Sequence, residues 1–139
     1  MEKPKTFFLI DDDVDDIFLF REVLESIDPE LKFLSAENGE IGLQMLKTSG
    51  DLPDIIFLDL NMPKMDGREV LKMVKSNEMY RKIPVIVFST TKNQLEVRRC
   101  YDLGANTYIV KPVSYDTLVE TIREICTYWF NTATLIDSR

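Results

Sequence analysis

The stretch DIIFLDLNMPKMDG, residues 54–67, decides the fold of this chain. It contains a short unbroken apolar run, Ile55–Leu58, that ends abruptly in Asp59. Such a run suits a strand that is covered on both faces, as in a parallel sheet between helices. Pro63 forbids further strand pairing, and Asp66-Gly67 is a turn signal before the next helix. Asp59 is therefore predicted at the carboxyl end of a buried strand, where α/β sheets bind ligands.

Four further apolar runs, separated by helical patterns, read as strands. They are Thr6–Ile10, Leu31–Ala36, Ile83–Phe88 and Thr107–Val110, with the second placed near an edge of the sheet. The later helices are predicted over Arg68–Lys75, over Gln94–Leu103 before Gly104, and after a Ser114 cap with Leu118, Ile122, Ile125 and Trp129. This alternation predicts a three-layer α/β fold with a doubly wound, five-stranded parallel sheet. The right-handed crossover rule favours the flavodoxin-like order 2-1-3-4-5.

Composition bounds the function before any motif is considered. The chain has 139 residues, 45% of them hydrophobic and 29% charged, which predicts one domain over residues 1–139. We find neither a membrane-span pattern nor a signal-peptide pattern, and we expect a cytoplasmic protein without a membrane partner. Cys100 and Cys126 lie in helical patterns without metal-ligand spacing, so packed, reduced thiols are expected.

Two compositional facts exclude whole classes of function. The net charge is −7 and no basic run occurs, which argues against autonomous nucleic-acid binding. The chain contains no histidine. A Ser-His-Asp triad, a histidine zinc site and a histidine general base are therefore all excluded. Any chemistry must use carboxylates, hydroxyls, lysines and bound ions.

Polar side chains with complementary chemistry follow four of the five predicted strands. They are Asp11-Asp12, Asp59, Ser89-Thr90 and Lys111. The carboxyl ends of parallel strands share one edge of the sheet, so we expect these residues to converge. The neighbouring acids Asp13, Asp15 and Asp16 have a sufficient structural explanation in capping and in the dipole of the first helix.

Converging carboxylates repel one another, and a hard divalent cation resolves that repulsion. Mg²⁺ prefers one or two carboxylates together with phosphate oxygens and water. Lys111 and the Ser89 hydroxyl suit phosphate oxygens, and Asp59 is placed as a nucleophile that forms an aspartyl-phosphate. The pattern predicts a metal-assisted phosphoryl site, although a turn role for Ser89-Thr90 remains an alternative.

The sequence resembles the receiver domain of two-component response regulators. The residues that carry the resemblance are FLIDDD (8–13), DIIFLDLNMPKMDG (54–67), IPVIVFST (83–90) and GANTYIVKP (104–112). They span nearly the whole chain in the order and spacing of that family. The resemblance implies a stand-alone receiver without an output domain, which accepts a phosphoryl group and switches a protein-binding face.

The resemblance also assigns roles to individual residues. It implies that Asp59 is the phosphoacceptor, and that Asp11, Asp12, Asp59 and the backbone carbonyl of Asn61 hold Mg²⁺ or another divalent cation such as Mn²⁺. Ser89, Thr90 and Lys111 match phosphate-binding positions, with Ser89 as the switch hydroxyl. Tyr108 matches the aromatic residue that turns inward on activation, and Lys111-Pro112 resembles a peptide bond that is cis in the family. Structural alternatives are a packed strand aromatic for Tyr108 and a turn role for Asn61.

A resemblance to one group within this family implies which proteins the chain binds. The segments 66–71, 83–91 and 128–135 look like those of stand-alone regulators that partner phytochrome-type histidine kinases. The implied partners are thus a sensor histidine kinase, an unidentified downstream protein and, through the aromatic C-terminal segment, a second copy of the chain.

Three competing functions stay open at this stage. A phosphorelay shuttle would pass the phosphoryl group to a downstream histidine protein. An Asp-nucleophile phosphohydrolase of the haloacid dehalogenase type needs an acid two residues after the nucleophile, where this chain has Asn61. A phosphorylation-independent interaction module has no need for Asp11, Asp59 and Lys111 together. We expect a signalling protein rather than a turnover enzyme.

Overall fold

A computed structural model describes residues 4–136 of the chain. The strands are β1 (Thr6–Ile10), β2 (Lys32–Ala36), β3 (Ile55–Leu58), β4 (Val85–Ser89) and β5 (Thr107–Val110). The helices are α1 (Val14–Ile27), α2 (Gly39–Thr48), α3 (Gly67–Ser76), α4 (Gln94–Asp102) and α5 (Tyr115–Cys126), and a π-helical segment, Thr127–Thr132, follows α5. The strands form one parallel sheet in the order β2-β1-β3-β4-β5, which confirms the predicted fold and the edge position of β2.

Alternation along the buried strands divides the core between the two faces of the sheet. In β1, Phe7 and Leu9 belong to one apolar cluster, whereas Phe8 and Ile10 belong to the other. The first cluster packs against α1 and α5 and contains four neighbouring phenylalanine rings, Phe7, Phe20, Phe57 and Phe88. The second packs against α2 and α3 and includes Cys100 of α4. The central strands are therefore covered on both sides, as an unbroken apolar run requires.

Every α-helix begins at a side chain that accepts a backbone N–H hydrogen bond from its first turn. These N-cap residues are Asp13, Asn38, Asp66, Asn93 and Ser114. The bonds satisfy amide groups that have no partner within the helix. They also fix where the chain turns after each strand, at the edge of the sheet that carries the polar strand ends.

Some predicted boundaries shift by one or two residues. Strand β2 begins at Lys32, and helix α4 ends at Asp102, followed by the C-cap residue Leu103 and then Gly104 at φ +107°. Strand β4 begins at Val85 because Ile83 donates its N–H to the Tyr80 carbonyl in a turn. The left-handed backbone at the end of α4 explains why a glycine occupies that position.

The C-terminal helix departs from the prediction after Cys126. Trp129 was expected on the continuing α-helix, but it lies in the π-helical segment, where the Ala133 N–H bonds to the Tyr128 carbonyl. Trp129 is half-buried and packs against the cluster on the α1 and α5 face. Cys100 and Cys126 are buried free thiols, and burial raises the pKa of Cys126 to about 12. Among residues 4–136, no helix is long and apolar enough to cross a membrane.

Candidate phosphoryl-acceptor site

Three site residues directly follow strands and remain fixed by hydrogen bonds of the sheet. The Asp11 N–H donates to the Ala36 carbonyl of β2 at 3.0 Å, and the Asp59 N–H donates to the Ile10 carbonyl of β1 at 3.0 Å. The Lys111 N–H donates to the Ser89 carbonyl of β4 at 2.8 Å. The backbone at these positions thus continues the hydrogen bonding of the sheet by one residue beyond each strand. This arrangement brings residues from β1, β3 and β5 to one crevice.

The predicted acidic cluster is present. One carboxylate oxygen from each of Asp11, Asp12 and Asp59 lies within 4.8 Å of the others. Asp11 and Asp59 are buried, at 1% and 6% exposure, and Asp12 is exposed. The Asp11 Oδ2 atom is buried and accepts no hydrogen bond from the described part of the chain. A buried carboxylate oxygen without a hydrogen bond, on a residue that clusters with two further carboxylates, fits a hard divalent cation with retained water.

Burial controls the protonation of the two inner carboxyl groups. Loss of solvation raises the pKa of Asp11 from 3.8 to about 7, against opposing effects of the Asp13 N–H bond and of Lys111. Loss of solvation likewise raises the pKa of Asp59 to about 6, and Lys111 and the Asn61 N–H oppose that rise. A cation bound between these groups would favour their charged forms and offset the cost of burial.

The Lys111 ammonium stands among three carboxylates. Its Nζ atom is 3.0 Å from Asp16 Oδ2, 3.5 Å from Asp11 Oδ2 and 3.8 Å from Asp59 Oδ1. Only the contact with Asp16 is a hydrogen bond. The neighbouring carboxylates raise the pKa of Lys111 overall, although burial opposes them. Lys111 therefore carries a charge at the site, within reach of a group attached to Asp59.

The loop after β3 folds back so that its backbone lies close to Asp59. The Asn61 N–H donates a long 3.4 Å hydrogen bond to Asp59 Oδ1, and the side chain of Asn61 is exposed. Lys64 adopts φ +67°, in the left-handed region, where Met65 N–H donates to the Pro63 carbonyl. Gly67, the first residue of α3, lies so close to the backbone of Asp59 that an added Cβ would be 2.2 Å from the Asp59 carbonyl oxygen. This close approach requires glycine.

The two hydroxyl residues at the end of β4, Ser89 within the strand and Thr90 directly after it, differ in exposure. Ser89 is fully buried and its Oγ accepts a 3.3 Å hydrogen bond from the Thr91 N–H, while Thr90 is exposed. The turn interpretation of this segment is thus realised in the structure. Tyr108 is half-buried, and its hydroxyl donates to the Thr91 carbonyl at 2.9 Å. Burial raises the pKa of Tyr108, so the phenol remains protonated and able to donate.

Two sequence-based expectations need correction here. The Lys111-Pro112 peptide bond is trans, because no cis bond occurs between residues 4 and 136. Asp16 was explained by the dipole of α1 alone, yet its carboxylate also forms the closest ion pair of Lys111. Its position, five residues after Asp11 and three after the N-cap, is a signal that sequence reasoning did not use.

Sequence reasoning also missed an ion-pair bridge beside the site. Arg68, at the start of α3, contacts the carboxylate of Asp66 at 2.9 Å and forms a second ion pair with Glu96 in the first turn of α4. The hydrogen bond to Glu96 is the main cause that raises the pKa of Arg68. The bridge connects the loop after Asp59 to α4. Since Arg68 and Glu96 are far apart in sequence, only the folded chain reveals it.

Comparison with known proteins agrees with this geometry. The family model described as "Response regulator receiver domain" matches residues 7–123. Response regulator Rcp1 of Synechocystis is 34% identical over 95% of this chain and 93% of its own length. The structure of the phosphorylated cyanobacterial phytochrome response regulator RcpA superposes with a TM-score of 0.91 at 36% identity, covering 96% of this chain and 99% of that one. The Mn²⁺-bound form of Rcp1 gives 0.89 at 33% identity, covering 96% and 100%.

A parallel 2-1-3-4-5 sheet with carboxylates and a lysine at its carboxyl edge defines a class of phosphorylation-switched signalling domains. The chain belongs to the response regulator receiver domain family. Within that family it is similar to response regulator Rcp1 and to the cyanobacterial phytochrome response regulator RcpA over nearly its whole length.

Proposed function

We propose that Asp59 accepts a phosphoryl group from a phosphohistidine of a sensor kinase. One observation carries the proposal: Asp59 is a buried strand-end carboxylate, weakly hydrogen-bonded, with two further carboxylates within 4.8 Å and an ammonium at 3.8 Å. An Asp59 oxygen attacks phosphorus, a P–O bond forms, and the P–N bond of phosphohistidine breaks. The imidazole nitrogen keeps the electron pair of that bond and can then take up a proton.

The residues present fit a divalent cation, Mg²⁺ or Mn²⁺. Asp11, Asp12 and Asp59 would supply carboxylate oxygens, and Asn61 its backbone carbonyl. When bound, the cation supplies charge neutralisation for the phosphoryl oxygens. Asp11 supports this assignment most strongly, because its Oδ2 atom is buried and accepts no hydrogen bond from residues 4–136, although the Lys111 ammonium stands 3.5 Å away.

The phosphate oxygens are assigned to three nearby groups. Lys111 provides a positive charge, and Ser89 and Thr90 provide hydroxyl groups at the end of the neighbouring strand. Ser89 acts as the switch residue, and Tyr108 moves inward when Ser89 turns toward the phosphoryl group. This shift requires that the phosphorylated site bind the active arrangement more strongly than the resting one. In this structure the Tyr108 hydroxyl donates a hydrogen bond to the Thr91 carbonyl, which lies two residues after Ser89.

The relatives suggest the partners. A phytochrome-type histidine kinase is the proposed phosphoryl donor, by similarity to the phytochrome regulator RcpA and to Rcp1. A downstream protein would bind the switched face in the cytoplasm. Tyr128, at 53% exposure, and Trp129 stack edge to face at the end of the chain and are the proposed contribution to a homodimer. We propose neither a nucleic-acid nor a membrane partner.

A signalling role is favoured over turnover. Hydrolases with an aspartate nucleophile use a second acid two residues later, and here that residue is Asn61. We therefore propose no activity beyond the gain and loss of the chain's own phosphoryl group. A relay shuttle uses the same acceptor chemistry and differs only in the protein that next receives the phosphoryl group.

Phosphotransfer from an autophosphorylated histidine kinase tests the acceptor. The kinase carries a labelled phosphohistidine, and the chain is added with Mg²⁺. We expect label on the parent and on Asp15→Asn, an exposed acid of the same segment, and none on Asp59→Asn. Label on Asp59→Asn at the parent rate would contradict the proposal. Steady release of phosphate from small phosphate esters would favour the hydrolase instead.

A further inference from the structure

We propose that Asp16 is a positioning residue that holds the Lys111 ammonium away from Asp59 until a phosphoryl group arrives. The inference rests on the proposed phosphoryl acceptance at Asp59. It concerns a residue of α1 that is not part of the acidic cluster formed by Asp11, Asp12 and Asp59.

The distances give the first argument. Lys111 Nζ donates its hydrogen bond to Asp16 Oδ2 at 3.0 Å, whereas its distance to Asp59 Oδ1 is 3.8 Å. At 3.8 Å the Asp59 carboxylate accepts no hydrogen bond from the ammonium. Lys111 therefore neutralises the site at a distance but bonds to the carboxylate that lies outside the metal cluster.

Burial gives the second argument. The Asp16 side chain is 27% exposed, whereas those of Asp11 and Asp59 are 1% and 9% exposed. A desolvated carboxylate gains more from a charged hydrogen bond than one that water still reaches. The ammonium nevertheless bonds to the most exposed of the three carboxylates. We attribute this to the placement of Asp16 at the third position of α1, which follows from the Asp13 cap.

The arrangement has a consequence for the nucleophile. With Lys111 bonded to Asp16, the Asp59 carboxylate accepts a long 3.4 Å hydrogen bond from the Asn61 N–H and none from the ammonium. A phosphoryl group on Asp59 brings more negative charge and must compete with Asp16 for the ammonium. Asp16 thus lowers the affinity of the resting site for a phosphoryl group. Removal of its charge should raise that affinity.

The test measures the dissociation constant of beryllium fluoride, a phosphoryl mimic, by calorimetry at saturating Mg²⁺. We expect Asp16→Asn to bind the mimic about two- to tenfold more tightly than the parent, the range for one charge-assisted bond. Asp15→Asn is the matched control, because it removes the same charge from the same turn of α1 and is exposed. It should stay within about twofold of the parent.

Two further variants separate positioning from general charge. In a Lys111→Ala background, the added Asp16→Asn change should have no effect, because the ammonium it releases is gone. Asp16→Glu keeps a carboxylate that can hold Lys111 and should restore the parent affinity. If Lys111→Ala binds no mimic, Asp16→Glu is the deciding variant. Parent affinity in Asp16→Glu supports the positioning role, and an affinity equal to that of Asp16→Asn contradicts it.

The outcomes distinguish this inference from the proposed function. Three results would overturn the role of Asp16 and leave the acceptor assignment intact. They are an unchanged or lower affinity of Asp16→Asn for the mimic, an equal gain in affinity in Asp15→Asn, and a gain in affinity that persists without Lys111. An Asp59→Asn protein that binds the mimic as well as the parent overturns the acceptor assignment and the inference together. Tighter binding of Asp16→Asn that depends on both Asp59 and Lys111 supports both.

Discussion

The hydroxyl of Tyr108, on β5, donates a 2.9 Å hydrogen bond to the backbone carbonyl of Thr91, in the segment after β4. The same Thr91 donates its own N–H to the buried Ser89 Oγ. One residue therefore connects the proposed switch hydroxyl to the proposed switch aromatic ring. A change in the position of either side chain would disturb a hydrogen bond made by Thr91, so this residue couples the two positions.

Replacement of Tyr108 by phenylalanine tests the strength of this connection. The ring stays, but the bond to the Thr91 carbonyl is lost, so the free energy of unfolding should fall by about 0.5–1.5 kcal/mol. Urea denaturation measures the change. Tyr115→Phe is the control, since it removes a hydroxyl from a side chain that is 56% exposed. Equal losses in the two variants would show that the Tyr108 bond contributes nothing particular.

Gly67 should tolerate no side chain. In Gly67→Ala, the new Cβ would lie 2.2 Å from the Asp59 carbonyl oxygen and 2.7 Å from the Leu60 Cα, both backbone atoms that cannot rotate away. We expect a loss of about 1–3 kcal/mol in the free energy of unfolding and slower phosphorylation, because the segment that carries Asp59 must shift. Gly50→Ala is the control, because no atom lies within 4 Å of its added Cβ. A stable, normally phosphorylated Gly67→Ala would refute the close approach.

Stability of the metal-free protein should fall as pH rises from about 4 to about 7. The folded-state pKa of Asp11 is raised from 3.8 to about 7, so the folded chain binds the proton more tightly than the unfolded chain. That contribution is full below pH 3.8 and is lost as pH rises through about 7. Urea denaturation at pH 5 and pH 8, with a chelator present to remove metal, measures this loss of stability. In Asp11→Asn the free energy of unfolding should change less between the two pH values.

Mg²⁺ should reverse this trend. Because the carboxylates must lose their protons to bind the cation, its stabilising effect should grow between pH 6 and pH 8 around the raised pKa values of Asp59 and Asp11. Melting temperatures with and without Mg²⁺ measure the difference. A Mg²⁺ effect that is equal in the parent and in Asp11→Asn would remove Asp11 from the proposed metal site.

The bridge from Arg68 to Glu96 should hold the start of α4. Cys100 is the buried residue of α4, so this helix has little apolar anchoring of its own. In Arg68→Ala, amide hydrogen exchange across residues 94–100 should accelerate on the order of two- to fivefold, in line with a partly exposed ion pair. Arg98→Ala, an exposed residue of the same helix, is the control. Unchanged exchange in Arg68→Ala would mean that other contacts fix α4.

The sequence predicted the fold because strong local signals agree with the global topology. The apolar run 55–58 ends in Asp59, and the runs 6–10 and 107–110 end in Asp11 and Lys111, which the parallel sheet then brings to one edge. Element type and order follow from apolar periodicity, which depends on burial alone. Boundaries depend on single hydrogen bonds and were less accurate, as at the start of β4.

Side-chain partners could not be read from the sequence in the same way. Asp15 and Asp16 are adjacent and chemically identical, yet one is exposed and the other bonds to Lys111. Which of them faces β5 depends on the rotation of α1 about its axis. The left-handed backbone of Lys64 and the trans bond before Pro112 are likewise properties of the folded loops. Periodicity carries no information about them.

Intact mass after incubation with Mg²⁺ and a small acyl-phosphate donor tests the central claim most directly. No kinase is needed, so the result depends on the chain's own site. The account predicts that the parent gains the mass of one phosphoryl group, and that this gain disappears in Asp59→Asn and on removal of Mg²⁺. An equal gain in Asp59→Asn, or no gain in a folded parent with Mg²⁺ present, would contradict the assignment of Asp59 as the acceptor.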